Sequence, residues 1–266
     1  MTTRVGVFGA NGRMGRMILK AAAEAADVTL VAAGVRAGSA DLGADAGVLA
    51  GLGATGLATT DREAEILAAD VAIDFTLPDA TLEHAAAAAA AGTAFVTGTT
   101  GLSAAQEGQL QHLAARIPLV YAPNMSVGVN LLLALVERVA ATLDEGWDVE
   151  IVEMHHSRKV DAPSGTAVGL GRAAAAGRRR AFEEVAVLSR EGHTGARVPG
   201  QIGFATMRGG DVIGEHMVVF AGPAERIELG HRAGGRHIFA NGAITAARWA
   251  AGRAPGLYSM RDVLGL

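Results

Sequence analysis

Directly after a first short apolar run, Arg4 to Phe8, the chain reads Gly9-Ala10-Asn11-Gly12-Arg13-Met14-Gly15, followed by a helical pattern from Arg16 to Ala26. Strand, glycine turn and helix in that order open a βαβ unit of the dinucleotide-binding kind. The glycines permit a tight turn, let the backbone approach a pyrophosphate, and let helix close on strand. The spacing is G-x-x-G-x-x-G rather than G-x-G-x-x-G, but the physical demands it meets are the same.

The next hundred residues keep that rhythm. Strand patterns at Val28–Val35, Val71–Phe75, Ala94–Thr97 and Leu119–Tyr121 alternate with helical ones at Glu63–Ala69, from Pro78 to Gly92, and from Ser103 to Ala115. Alternation of this kind predicts a parallel sheet, with ligands bound beyond the carboxyl ends of its strands. Standing at those ends are Gly9, Ala10, Asn11, Gly12, Arg13, Met14, Arg36, Phe75, Thr76, Gly98, Thr99, Thr100, Ala122, Pro123, Asn124 and Met125. A cofactor laid along the edge would meet each in turn. At the end of the second strand an acid usually accepts hydrogen bonds from the adenosine ribose. Here that end is Gly34-Val35-Arg36, and Arg36 is placed to meet a 2′-phosphate, so NADPH is expected as at least an accepted cofactor. Residues 37–60 read as a flexible loop region.

Past a helix at Val129–Leu143 the pattern changes. Strand-like segments now follow one another at Asp148–Met154, Glu184–Ser189, Gly203–Arg208, Gly214–Ala221 and Glu225–Arg232, with one helix at Gly165–Ala176 between them. This predicts a second, sheet-based α+β domain. A closing helix, Phe239–Gly252, is expected to pack back on the first domain, so that the chain crosses between domains twice, with hinges near 126–129 and 236–240. The glycine-rich stretch 189–200 reads as a mobile loop.

The chemistry concentrates in Glu150 to Ala167, EIVEMHHSRKVDAPSGTA. A strand leads into a loop carrying His155, His156 and Lys159, then Pro163-Ser164-Gly165-Thr166 at the start of a helix. A helix start attracts anions, because its first N–H groups lack intrahelical partners and the helix dipole adds to them. Histidine moves protons near neutral pH, and lysine supplies fixed charge or a proton. A zinc site on Glu153, His155 and His156 is disfavoured, since adjacent histidines point apart and no H-E-x-x-H spacing occurs; no metal is expected.

Composition removes other classes. With no cysteine there are no disulfides, thiol catalysis or thiolate metal sites. A net charge of −4 and 4% aromatic residues give no basic stripe or stacking platform for nucleic acid. The apolar run Leu119–Val136 is interrupted by Pro123, Asn124, Ser126 and Asn130, which are costly in lipid, so no membrane span is expected. The amino terminus carries no secretory pattern.

The motifs GANGRMGR (9–16), IDFT (73–76), GTTG (98–101), APNMSVGVN (122–130), EMHHSRKVDAPSGTA (153–167), SREGHTGARVPGQIGFATMRGGDVIGEH (189–216) and FANGA (239–243) together resemble the 4-hydroxy-tetrahydrodipicolinate reductase (dihydrodipicolinate reductase) family. The similarity runs nearly the whole length, and the 153–167 motif is its most specific piece. It implies an α/β fold: a Rossmann-type parallel-sheet domain (1–127 and 238–266) plus an α+β substrate-binding and oligomerisation domain with a mixed sheet (128–237). It implies a cytoplasmic homotetramer that reduces a small dicarboxylate with NADPH or NADH, with loss of water, on the diaminopimelate route to lysine. It further implies His155 as catalytic proton donor and acceptor and Lys159 as second proton donor. His156, Gly165 and Thr166 would bind substrate, with Ser164 and Arg236 beside them. In many bacterial members the residue matching Val35 is acidic, which leaves Arg36 as the phosphate contact here. A nicotinamide sensor on the same fold, without catalysis, is the alternative.

Overall fold

The computed structural model describes residues 2–266, which divide into two compact units. The first runs through Val127 and resumes at His237–Leu266; the second is Gly128–Arg236.

The elements of the first unit's amino-terminal part are β1 (Thr3–Val7), α1 (Arg13–Glu24), β2 (Val28–Gly34), α2 (Ala46–Leu49), β3 (Thr59–Thr60), α3 (Glu63–Leu67), β4 (Val71–Asp74), α4 (Pro78–Ala91), β5 (Ala94–Thr97), α5 (Ala104–Leu113) and β6 (Pro118–Tyr121). The second unit holds α6 (Val127–Thr142), β7 (Asp148–His155), α7 (Gly165–Gly177), α8 (Phe182–Val185), β8 (Ala186–Val187), β9 (Ile202–Arg208), β10 (Glu215–Gly222) and β11 (Glu225–Arg232). The chain then returns to the first unit as α9 (His237–Ala250), β12 (Gly256–Tyr258) and α10 (Met260–Leu264).

Seven strands form the first sheet in the order β12-β6-β5-β4-β1-β2-β3, and every pairing is parallel. The order reverses between β1 and β4, the switch point at which such sheets bind dinucleotides. All four residues of β4 and of β5 are buried, as a sheet covered on both faces requires. Alternation sorts their side chains. Val5, Val7, Ile73, Val96 and Val120 join the cluster under α1 and α9, while Ala72, Phe95 and Leu119 join the one under α3, α4 and α5. Phe95 is fully buried, and its loss to alanine would cost roughly 3–5 kcal/mol.

Local signals explain the helix ends. Pro78 sits in the first turn of α4, and Gly92 caps its far end at φ 76°, a left-handed conformation that suits glycine. Ser103 and Gln106 close a reciprocal capping box at α5. Residues 37–60 are more organised than the loop predicted for them. The Asp45 carboxylate accepts N–H hydrogen bonds from Gly47, Val48, Thr55 and Gly56, which folds the segment around one side chain and holds that carboxyl down at about 2 despite a burial cost. β12 and α10 are too short, at 3 and 5 residues, to carry a periodic signal in the sequence.

In the second sheet, β11-β10-β7-β9-β8, the pairs β10–β11 and β7–β10 are antiparallel while β7–β9 and β8–β9 are parallel. β7 alternates strictly: Val149, Ile151, Glu153 and His155 are buried. Leu132, Val136 and Ala140 of α6 and Leu170 and Ala174 of α7 cover that face. The strand expected at Glu184–Ser189 is instead a helical turn followed by the two-residue β8, since Glu183 and Glu184 favour a helix start. The 189–200 stretch, read as mobile, is tied to β7. Arg190 donates two hydrogen bonds to Glu150, and Arg197 donates to Asp148 and Glu150. Among the described residues no helix is long and apolar enough to cross a membrane.

Candidate active site

The first unit offers a site along the carboxyl edge of its sheet. Gly12 caps α1 with no side-chain hydrogen bond, so the helix entry faces its surroundings through backbone alone. Gly9 has φ 63°, and a Cβ on Gly15 would fall 2.1 Å from the Gly9 carbonyl oxygen, so neither position admits a larger residue. Arg13 is exposed, Ala10 is buried, and the Ala10 N–H donates to the Gly34 carbonyl. Asn11 donates to Ser39 and Asp41, fastening the turn to the loop after β2.

Two cavities border the turn. One, of about 580 Å³, is lined by Phe8, Gly9, Asn11, Val35, Arg36, Thr76, Leu77 and His84, with Asp61, Glu63 and Glu83 adding carboxylates. The other, of about 290 Å³, is lined by Met14, Phe75, Thr76, Gly98, Thr99, Thr100, Pro123, Asn124, Met125 and Phe239. Thr76 belongs to both, and together they run from β2 across β4 and β5 to β6. The residues fit a dinucleotide: a helix entry free of any side-chain cap for the pyrophosphate, Arg36 on one side and apolar Met14, Phe75 and Met125 on the other. Ala122 is buried behind the second cavity, its N–H on the Thr97 carbonyl.

Beneath this edge lies Asp74, fully buried. Its carboxylate accepts from the Thr76 N–H, the hydroxyls of Thr76, Thr81 and Thr99, and the His84 ring. Burial pushes the carboxyl up, but these donors, His84 first, hold it below the usual carboxylate range.

In the second unit His155 is the last residue of β7, not a loop residue as predicted. It therefore shares the buried face with Glu153, two positions earlier. Its Nδ1–H donates to Glu153 Oε2 at 2.6 Å. Arg208 of β9 grips the same carboxylate with both terminal nitrogens, each at 2.8 Å, and the Ser164 N–H donates to Oε1 at 3.0 Å. Burial raises the Glu153 carboxyl, and Arg208, His155 and Ser164 together hold it below its ordinary value. For His155 burial lowers the pKa, the Glu153 carboxylate opposes this, and the net direction is downward, so the resting imidazole is neutral.

Several of the other residues the sequence singled out lie in the loop after β7 and at the start of α7. Ser164 caps α7, accepting from the Ala167 N–H, and its hydroxyl meets His216 Nε2 at 3.0 Å. The rings of His155 and His216 meet edge to face at 5.1 Å. The Lys159 ammonium pairs with Asp161 at 2.8 Å, in the loop that leads into α7 at Gly165. A Cβ on Gly165 would meet nothing within 4 Å, so open space adjoins that entry, with Thr166 next in the helix. The His156 N–H donates to the Val212 carbonyl, while its Nδ1 is buried without a partner. Arg236, exposed at the end of the unit, is not tied to the cluster by a hydrogen bond among the described residues.

Glu153, which the sequence suggests only as a metal ligand, and Arg208, His216, Asp74, Thr81 and His84 gain their places from the fold. The Glu153–His155 spacing was a usable signal, since residues two apart on a strand share a face. Arg208 was not findable that way, because its place opposite His155 depends on the β7–β9 register.

A parallel sheet with a glycine turn at its switch point and a separate sheet carrying histidine, lysine and an anion-ready helix entry define the class of two-domain, dinucleotide-dependent oxidoreductases. Solved structures agree at the level of fold: a dipicolinate-bound dihydrodipicolinate reductase from Paenisporosarcina sp. TG-14 superposes with a TM-score of 0.77 at 24% identity, covering 98% of this chain and 99% of that one. The sequence goes further. Residues 3–125 match the family model for the dihydrodipicolinate reductase N-terminus and residues 128–264 that for its C-terminus. A 4-hydroxy-tetrahydrodipicolinate reductase of Alkalilimnicola ehrlichii is 55% identical, covering 100% of both chains. Another, from Afipia carboxidovorans, is 56% identical over 99% of this chain and 97% of its own. The chain belongs to the dihydrodipicolinate reductase family.

Proposed function

We propose that this chain reduces 4-hydroxy-tetrahydrodipicolinate to tetrahydrodipicolinate with NADPH or NADH, in the cytoplasm, on the diaminopimelate route to lysine. The observation that carries the reading is the His155–Glu153 pair beside Lys159 and the α7 entry, in a chain similar over its full length to reductases of that name. The first unit holds the cofactor through Gly9 to Met14, Arg36, Phe75, Thr76, Gly98 to Thr100 and Ala122 to Met125. The second holds the dicarboxylate through His156, Ser164, Gly165, Thr166 and Arg236, where a lysine, an arginine and helix N–H groups supply the positive charge that two carboxylates need.

In the net reaction one hydride and one proton enter the ring and one water leaves. When bound, the reduced nicotinamide supplies the hydride. The protein's share is proton traffic. The Lys159 ammonium donates a proton, and neutral His155 takes up and returns one through Nε2, the nitrogen that Glu153 does not engage. Asp161 holds the Lys159 ammonium in place between turnovers.

The chain also assembles as a homotetramer through the outer face of its second sheet. Val152, Met154, Met207 and Met217 form the apolar part of a depression of about 460 Å³ there, which Glu215, His216, His231 and Arg232 also line, and Met207 is 48% exposed. An apolar sheet face of that kind marks a contact surface. The test of the function is a coupled assay with freshly generated substrate, following nicotinamide absorbance with each cofactor in turn. Consumption that depends on substrate supports the reading. Cofactor binding without consumption supports a sensor in its place.

A further inference from the structure

The buried acid–base cluster of the second unit contains two charged groups that need not touch substrate, Glu153 and Arg208. Glu153 is 1% exposed and has all its strong hydrogen-bonding directions filled: two by Arg208, one by the Ser164 N–H and one by His155 Nδ1–H. Arg208 donates in addition to the Asp161 carbonyl. One carboxylate therefore connects the imidazole, the N-cap of α7 and, through its arginine, the loop that carries Lys159. A buried carboxylate is costly unless paired, and an arginine fork is the partner that satisfies both oxygens while leaving room for further donors.

We propose that Glu153, clamped by Arg208, is the positioning residue of this site: it fixes His155 as the Nδ1–H tautomer with Nε2 as the working nitrogen, and holds that nitrogen at a set distance from the α7 entry. The geometry supports this in three ways. An anionic carboxylate can only accept, so the proton it engages must sit on Nδ1. Among the described residues Nε2 of His155 has no hydrogen-bond partner, so it is the nitrogen left for ligand. The ring is also boxed in, with His216 at its edge and Gly214 so near that a Cβ there would stand 3.0 Å from Nε2. Second-layer carboxylates that orient a working histidine in this way set both tautomer and basicity.

The charges facing the ring are Glu153 on β7, Arg208 on β9, Lys159 in the following loop and the uncharged His216 on β10. Glu153 alone favours imidazolium, so a proton arriving at Nε2 is stabilised from the opposite side of the ring. Exchange of Glu153 for glutamine removes that support and presents an amide that can donate to Nδ1, which permits the wrong tautomer.

The inference rests on the proposed reductase reading, and its tests separate the two. Nitrogen-15 NMR of histidine-labelled wild-type protein, with His155 assigned by comparison with His155→Gln, should show Nδ1 protonated and Nε2 bare at neutral pH. An Nε2–H tautomer would overturn the proposal whatever the protein reduces. In the coupled assay, Glu153→Gln should lower kcat roughly 100-fold while KM for the dicarboxylate changes less than about threefold, the loss expected when a general acid–base group is misdirected. Its His155-dependent limb in the pH profile should move to lower pH, and Glu153→Asp should restore part of the rate. An unchanged kcat and pH profile in Glu153→Gln would overturn the positioning role. An inactive wild type would overturn the reductase reading and leave the NMR result to judge the tautomer.

Discussion

The Asp74 carboxylate and the His84 imidazole stand 2.6 Å apart, and the imidazole lies stacked on Phe8 with ring centroids 3.9 Å apart. Asp74 ends β4, Phe8 follows β1, and Thr76 and Thr99, which share the same carboxylate, begin the loops after β4 and β5. The carboxyl ends of three neighbouring strands, β1, β4 and β5, are thus hung on one buried anion.

Asp74→Asn keeps the shape but offers one acceptor oxygen to several donors and turns an amide toward others. Leaving buried hydrogen-bonding groups unmatched should cost about 2–4 kcal/mol. Denaturant unfolding would show it as a lowered midpoint, and fluorescence titration should show weaker NADPH binding. A midpoint and affinity equal to wild type would mean the edge holds itself without Asp74.

Arg36 lies in the wall of the larger cavity where the second strand ends without an acid. For Arg36→Ala the expected loss is roughly tenfold or more in NADPH affinity, the size of a charge-assisted contact, with NADH little changed. Equal losses for both cofactors would remove the 2′-phosphate assignment.

His216 bears on stability. Burial first, then repulsion from His155, lowers its pKa from 6.5 to about 4 in the folded chain. The unfolded chain therefore binds the extra proton between those values, so this contribution is fully present above about pH 6.5 and is lost as pH falls toward 4. A gap of that size corresponds to roughly 3 kcal/mol at most. His216→Gln should unfold with a flatter pH dependence than wild type across that window, measured by urea midpoints. Parallel curves would contradict the assignment.

Much of this was legible in the sequence because the signals were local. Gly9, Gly12 and Gly15 announced the turn, strand–helix alternation announced the parallel sheet, and Pro163-Ser164-Gly165-Thr166 announced the start of α7. His155 and Lys159 stood out because helix-start chemistry lies within a few residues of them. What was not legible depends on strand order. Arg208 reaches Glu153 only because β9 runs parallel beside β7, and His216 reaches Ser164 only because β10 lies on the other side. The sequence predicts a loop at His155 because apolar alternation stops at Met154, whereas the strand continues to His155 with a polar pair, Glu153 and His155, facing inward. Short elements such as β8, β12 and α2 are set by tertiary pairing more than by propensity.

Loss of the imidazole should spare the cofactor. His155→Gln is expected to bind NADPH as wild type does, since the residues proposed to hold the cofactor belong to the first unit and His155 to the second, while turnover falls by roughly two orders of magnitude. A parallel loss of NADPH affinity would place His155 at the cofactor instead.

The central claim is that Lys159 and the α7 entry work on a doubly acidic ring. Its most direct test is the turnover of Lys159→Ala against wild type, with fresh 4-hydroxy-tetrahydrodipicolinate and NADPH. Removing a positioned ammonium should lower kcat by about 100-fold or more while NADPH still binds. Turnover within a few-fold of wild type would contradict the account.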